Sequence, residues 1–456
     1  MHGTSGRATV TGLLAFSLVM VVDTLICSRW IIPVVPTGQV LENHALAIAN
    51  GKIVDLSPTE QAMEKHQAMH IANLDSHALI PGLINSHTHS PMSFLRGLAD
   101  DLPLMEWLKG TIWPLEQKWI SEAFVRDGTE LAVAEMLRGG ITCFNDMYFF
   151  PEISARVAVQ SGMRSCIGLI VIDFPSAWAQ NSNEYLSKGL SLYDELRNES
   201  LVRPAFAPHA PYSVSDDALK KIHMYSEELQ IPIHMHVHET RDEIHQGIAK
   251  YGVRPLQRLK ALDILGPSFI AVHMTQLVPH EIDWIAEYGC HVVHCPESNL
   301  KLASGFCPVA RLLENGINVA LGTDSAASNN NLDILGEIRT AALLSKGVAE
   351  NASAVPAVTA LRMGTLDGAK ALGIDAHCGS LEIGKSADIA AITLDTLETL
   401  PVYDPVSQIV YSANRDQVTD VWVAGRQLLK SRTLTTLDPD KIKASIAHWS
   451  RKLQTA

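Results

Sequence analysis

Between about residues 78 and 324 the chain alternates short apolar runs with longer stretches whose apolar residues recur every three or four positions. Short runs of this kind read as buried parallel strands, and the longer stretches as amphipathic helices. Eight runs qualify as strands: 79–85 "LIPGLIN", 141–147 "ITCFNDM", 164–172 "RSCIGLIVI", 202–208 "VRPAFAP", 231–237 "IPIHMHV", 269–274 "FIAVHM", 290–295 "CHVVHC" and 317–323 "INVALGT". The intervening stretches 121–138 and 213–229 each open on a serine suited to cap a helix. Eight such units predict an α/β fold built on a (β/α)8 TIM barrel.

The flanks follow another period. "ALAIANGKIVDL" (45–56) is a pair of alternating runs joined by Asn50-Gly51, a strong hairpin signal, and "SADIAAITLD" and "VTDVWVAGRQLL" near the C-terminus again read as strands. Neither flank is long enough for its own core, so both ends are expected to pair into one small β-sandwich domain, with the barrel inserted in it. The predicted division is an N-terminal extension (1–20), a small β-domain (21–77 plus 380–437), the barrel (78–379) and a C-terminal helix (438–456). The apolar run 11–22 lacks a small-residue cleavage pattern and is too short to span a bilayer, which favours an extension over a secretory signal.

Composition changes this picture little. With 47% hydrophobic and 19% charged residues the 456-residue chain is an ordinary globular one, and a formal charge of −13 argues against binding nucleic acid or an anionic membrane. Its seven cysteines form no CxxC pair, which suits a reduced, cytoplasmic setting. Oligomeric state is left open, a homo-oligomer included.

The candidate chemistry sits where a barrel keeps its active site, at the C-terminal strand ends. His87 and His89 follow the first strand, His236 and His238 close the fifth, His273 ends the sixth and Asp324 follows the eighth. Each alone has an ordinary explanation: a polar turn, half-exposed strand histidines, a satisfied core imidazole, a helix cap. Their shared rim points to one metal. Three histidines and an aspartate with one position open for water suit catalytic zinc, not a six-oxygen magnesium or calcium site. Zinc would lower the pKa of a water toward about 7. Glu239, next to the fifth-strand histidines, is suited to moving protons; its ordinary reading is a solvated carboxylate opening a helix.

"PGLINSHTHSPMSFLRGLADDLPLMEWL", "IHMHVHET", "AVHMTQL", "HCPESNLKLASG", "LGTDSAASNNNLDILGEIR" and "GSLEIGKSADI" together resemble the amidohydrolase superfamily, in its branch of 5′-methylthioadenosine and S-adenosylhomocysteine deaminases. The likeness runs from about residue 22 to 437, and its most specific parts are the run after the HxH pair and the "GTDSAASNN" loop. It implies that His87, His89, His236 and Asp324 hold one Zn²⁺ per subunit, that His273 bonds the nucleophile, and that Glu239 shuttles protons while Asp324 takes part in catalysis. It also implies that Glu116 holds the ribose hydroxyls, that His209 contacts the nucleoside and that Trp107 lines the pocket, leaving His234 and His238 without a ligand role.

Members of that branch that accept S-adenosylhomocysteine use arginines after the third strand for its carboxylate. The segment 167–190 here has none and offers Trp178 with apolar neighbours. The expected reaction is therefore zinc-dependent hydrolytic deamination of 5′-methylthioadenosine, with adenosine also in range and S-adenosylhomocysteine served less well. The alternatives are a deaminase or chlorohydrolase of another nitrogen heterocycle, such as guanine, 8-oxoguanine or a triazine, and, more remotely, a non-catalytic scaffold. A free base would leave Glu116 without a ribose to hold, and a scaffold would be expected to have lost ligands.

Overall fold

The computed structural model describes residues 19–454, so the extension before Val19 lies outside the described residues. Eight parallel strands, Leu83–Thr88, Ile141–Asp146, Arg164–Val171, Val202–Pro208, Ile233–Val237, Phe269–His273, His291–His294 and Val319–Leu321, form one sheet in sequence order. This is the (β/α)8 barrel the pattern predicts. The first and eighth strands meet through Asn85, whose amide nitrogen donates to Thr323 Oγ1 (2.8 Å) and whose amide oxygen accepts from the Thr323 N–H (3.0 Å). Ile84, Cys143, Cys166, Ala205, Ile270, Val272, Val293 and Ala320 fill the barrel interior, and Ala369 and Leu372 from beneath close its floor. Every cysteine is buried and unpaired.

The second sheet also has eight strands and is drawn from both chain ends. Strands Met20–Ile31, Leu41–Ala49, Lys52–Pro58 and His66–Pro81 join Ile389–Thr393, Val418–Val423, Arg426–Lys430 and Thr433–Leu434, with His66–Pro81 pairing to Ile389–Thr393. The sheet folds over on itself: the Ile53 N–H donates to the Lys385 carbonyl at 2.9 Å, and Ile26, Leu46, Ile48, Ile389 and Trp422 share one core. Asn50 and Gly51 turn the predicted hairpin with φ of 51° and 76°, the pair of left-handed residues that a two-residue hairpin turn requires. The last helix, Pro439–Gln454, lays Trp449 on Phe124 with ring centroids 5.1 Å apart, beside the barrel mouth.

Two boundaries differ from expectation. Leu79–Pro81 belong to the long sandwich strand, because they pair with Ile389–Ala391, and the barrel strand begins at Leu83; Gly82 between them packs so closely on Thr142 that an added Cβ would lie 2.1 Å from its hydroxyl. The helix expected from 213 is Asp216–Leu229; Ser213 instead hydrogen-bonds within the preceding turn, and Ser215 stands at the N-cap without a side-chain bond. Ser121 does cap Glu122–Arg138, accepting from the Phe124 N–H at 3.3 Å. Among the described residues no helix is long and apolar enough to cross a membrane.

Candidate metal centre and substrate cavity

Period-two alternation turns His87 inward at the end of the first strand and His234 and His236 inward on the fifth. His87, His89, His236 and Asp324 each offer one atom to a group in which all lie within 4.8 Å of one another. Asp324 Oδ1 is 3.3 Å from His87 Nε2 and 3.2 Å from His89 Nε2, and His236 Nε2 is 3.1 Å from His87 Nε2. For ligands about 2.0–2.1 Å from a tetrahedral zinc, the separation between ligand atoms is about 3.3–3.4 Å. The three pairs just given already stand at nearly that spacing, within a group whose widest separation is no more than 4.8 Å.

The far side of each imidazole is held. His89 Nδ1–H donates to the Met147 carbonyl (2.5 Å) and His236 Nδ1–H to the His209 carbonyl (2.8 Å). A carbonyl can only accept, so each neutral ring carries its proton on Nδ1 and turns a bare Nε2 into the centre. His87 Nδ1 meets His234 Nε2 at 3.0 Å, which gives His234 a supporting position behind a candidate ligand. Burial drives the His236 pKa far down; at Asp324 burial opposes ionisation, yet the adjoining His87 and His89 rings outweigh it and hold the carboxyl well below its usual range. The same carboxylate raises the His89 pKa against burial, while burial lowers that of His87; imidazole nitrogens converging on an ionised carboxylate are a cation's donor set, and binding would displace any proton held there.

Three strand ends at this rim carry positive φ at residues other than glycine: His238 (56°), His273 (77°) and Asp324 (58°). Such strain persists only where surroundings impose it, and it gathers at functional sites. At His238 the imposing groups are visible. Its backbone N–H and that of Glu239 donate to the two oxygens of buried Glu243 (2.9 and 2.7 Å), while its ring Nε2 accepts from the Leu256 N–H (3.1 Å). Glu239 thereby faces the centre, 3.8 Å from His273 Nε2, and burial together with the charges of Asp324 and Glu243 pushes its carboxyl far above the usual range.

A cavity of about 790 Å³, its mouth included, opens above the four ligand candidates. His89, His236, Asp324, Glu239 and His273 form its floor, and Trp107, Glu116 and His209 line its walls; of the residues singled out in the sequence, buried His87, His234, His238 and Trp178 are not among the lining. Trp107 and Glu116 lie in consecutive short helices, Leu104–Trp107 and Trp113–Trp119, joined by one wider turn. Burial pushes Glu116 up to about 7, and Tyr148 donates to its Oε1 at 2.8 Å.

Trp178 does not reach the cavity. It is buried against Tyr185 with its indole N–H on Glu152 (3.2 Å), and Phe174, Ile170 and Ile172 line the wall instead. No lysine or arginine is among the lining residues. Sequence reasoning also missed Tyr148, Ser298, Ser328 and Asn299, all of which bond to site residues across 4 to 32 positions of chain.

The model of the amidohydrolase family matches residues 78–428. A 5-methylthioadenosine/S-adenosylhomocysteine deaminase of Saccharophagus degradans is 49% identical over 432 residues, covering 95% of this chain and 97% of its own. The crystal structure of an adenosine deaminase from Xanthomonas campestris, with bound zinc, superposes with a TM-score of 0.95 at 48% identity, covering 96% of this chain and all of the other. An atrazine chlorohydrolase from Arthrobacter aurescens shares the fold, with a TM-score of 0.86 at 23% identity, 94% of this chain and all of that one being covered.

Proposed function

Because this chain belongs to the amidohydrolase family, we propose that it is a zinc-dependent aminohydrolase that converts 5′-methylthioadenosine to its inosine analogue, releasing ammonia. The observation that carries the reading is the centre itself: bare Nε2 atoms on His89 and His236 and an ionised Asp324, joined by His87, meet on the floor of a cavity walled by Trp107, Glu116 and His209. The donor set fits zinc, with His87, His89, His236 and Asp324 as its ligands. When bound, zinc would acidify a water toward about pH 7 and so supply a nucleophile.

The chain's own residues do the rest. Glu116 accepts from the ribose hydroxyls, with Tyr148 fixing its carboxylate, and His209 and Trp107 hold the nucleoside so that C6 of the purine faces the floor. Glu239 takes a proton from the attacking water and places it on N1; burial and the charges of Asp324 and Glu243 raise its pKa, which strengthens the carboxylate as a base. His273, kept neutral by burial with a pKa of about 3, orients the water, and Asp324 holds it in line. Glu239, emptied by the transfer to N1, then takes the remaining proton from the new C6 hydroxyl and passes it to the amine, which leaves as ammonia as C6 becomes a carbonyl. Phe174, Ile170 and Ile172 face the 5′ end with apolar surface, which favours a methylthioether over an amino-acid tail.

The reading is tested by following ammonia release from zinc-loaded protein across 5′-methylthioadenosine, adenosine, S-adenosylhomocysteine and guanine, and chloride release from a chlorotriazine. Turnover of 5′-methylthioadenosine ahead of the others is expected. Turnover confined to the free base or the triazine would replace this reading with another heterocycle, and the ribose role of Glu116 would fall with it.

A further inference from the structure

No residue of the seventh strand, His291–His294, lines the cavity, yet the short helix that follows it, Pro296–Lys301, carries two adjacent polar side chains with almost no exposure, Ser298 (0%) and Asn299 (1%). Buried polar groups need partners, and these two find theirs in the site. Ser298 Oγ donates to Asp324 Oδ2 at 2.7 Å, and Ser328 Oγ donates to the same oxygen at 2.8 Å. With both hydroxyls on Oδ2 the carboxylate plane cannot turn. Oδ1 alone faces His87 and His89, so Asp324 is set to offer one oxygen to a cation rather than two.

Asn299 acts on the neighbouring strand end. Its Nδ2 donates to His273 Nδ1 at 3.0 Å. An Nδ1 that accepts is unprotonated, so the neutral ring carries its proton on Nε2, the atom that faces Glu239 Oε2. The short helix Pro296–Lys301 that presents both residues is itself held: the Glu297 carboxylate accepts from Thr340 Oγ1 (2.9 Å) and from the Asn331 amide (3.2 Å), and the Glu297 N–H donates to Glu337 (3.2 Å).

We propose that Ser298 and Asn299 are paired positioning residues, Ser298 fixing Asp324 as a one-oxygen ligand and Asn299 fixing the proton of His273 on Nε2. This rests on the metal centre described above. Neither residue touches substrate, and the two act on different groups, so their removal has separable signatures.

The test compares Ser298→Ala, Ser328→Ala, Asn299→Ala and Asn299→Asp with the wild type for zinc content, half-time of zinc loss to a chelator, and kcat and KM at saturating zinc. Ser298→Ala and Ser328→Ala are expected to lose zinc about tenfold faster, with KM within about twofold. Asn299→Ala is expected to keep the wild-type half-time and lose about tenfold or more in kcat. Asn299→Asp separates positioning from mere space filling: a carboxylate would accept from Nδ1–H and draw the proton off Nε2, so it should be no better than Ala. Zinc half-times within twofold of wild type in both serine variants would overturn the first half, and wild-type kcat in Asn299→Asp the second. Ser328 reaches the same oxygen from another helix, so a poorly folding Ser298→Ala leaves that half decidable. Zinc loss is read without nucleoside, so a wild type inactive on every nucleoside would overturn the proposed reaction while leaving the zinc comparison intact.

Discussion

His236 donates its Nδ1–H to the carbonyl oxygen of His209 across 2.8 Å, tying a candidate ligand on the fifth strand to the end of the fourth. The bond fixes the ring's tautomer, and with it the bare Nε2 that faces His87 Nε2 at 3.1 Å. One donor atom from each of His87, His89, His236 and Asp324 lies within 4.8 Å of the others, so a cation bound there would tie together four side chains from three strand ends. Zinc should therefore stabilise the protein as well as activate it. Stripping with a chelator is expected to abolish ammonia release and lower Tm, and about one equivalent of zinc should restore both. An apo protein with unchanged Tm would mean that the cluster does not bind a cation.

Glu239→Gln keeps the shape of the side chain and removes its ability to carry a proton. Because Glu239 is not among the four ligand candidates, zinc content should stay at the wild-type level while kcat falls about 10²–10⁴-fold. Metal analysis and steady-state kinetics on one preparation check both halves. Loss of zinc together with activity would make Glu239 a ligand instead.

The fold and the centre were legible for one reason: an inward-facing strand residue at a barrel's C-terminal end leaves a mark in local spacing. His87 and His89 two apart after the first strand, His236 at the end of the fifth and Asp324 after the apolar run of the eighth all follow from strand placement, although His238, read beside His236, turns away to Leu256. What the sequence concealed depends on contacts that spacing does not encode. Asn299 reaches His273 across 26 positions and Tyr148 reaches Glu116 across 32, through the folded packing of separate strand-end loops. Trp178 was misread for a related reason: in the irregular loop after the third strand side-chain direction has no period, and it is Phe174 that faces the cavity. The first barrel strand was begun too early because Leu79–Pro81 are as apolar as a barrel strand but pair with Ile389–Ala391 in the sandwich.

Glu116 gives a pH dependence with a definite sign. Burial raises its pKa from the usual 4.5 to about 7, so between those values the folded protein holds a proton that the unfolded chain does not. Stability conferred by the neutral form is full below about 4.5 and is lost as pH rises toward 7. Binding runs the other way, since the ionised carboxylate is the better acceptor for two ribose hydroxyls. Accordingly kcat/KM for 5′-methylthioadenosine should fall as pH drops below about 7, and Glu116→Gln should flatten that limb, raise KM and leave kcat less affected. A variant with the wild-type KM and pH profile would remove Glu116 from ribose recognition.

Gly322 lies directly behind the centre. A Cβ placed there would stand 2.8 Å from both Cβ and the backbone nitrogen of His87, and no flexible side-chain end is available to yield. Gly322→Ala should therefore displace His87, costing about 1–3 kcal/mol of stability and weakening zinc binding. Thermal unfolding with and without zinc measures each effect. If both Tm values matched wild type, the strand would have to be more pliant than its packing implies.

The cavity wall around the expected 5′ position decides between the two nucleosides. S-adenosylhomocysteine carries an α-carboxylate there, and the lining residues hold no lysine or arginine to meet it, only the apolar surface of Phe174, Ile170 and Ile172. A charge-assisted hydrogen bond contributes about 1.5–3 kcal/mol, and each 1.4 kcal/mol is a factor of about ten. Lacking that bond, S-adenosylhomocysteine should have a kcat/KM at least about tenfold below that of 5′-methylthioadenosine, whose methylthioether gains from the same apolar wall. Phe174→Arg should narrow the gap from both directions, by supplying a guanidinium for the carboxylate and removing apolar contact from the thioether. Competition between the two nucleosides, followed by ammonia release and by separation of the two products, measures the ratio directly. Equal or better turnover of S-adenosylhomocysteine would mean that a cation from outside the lining residues reaches the tail.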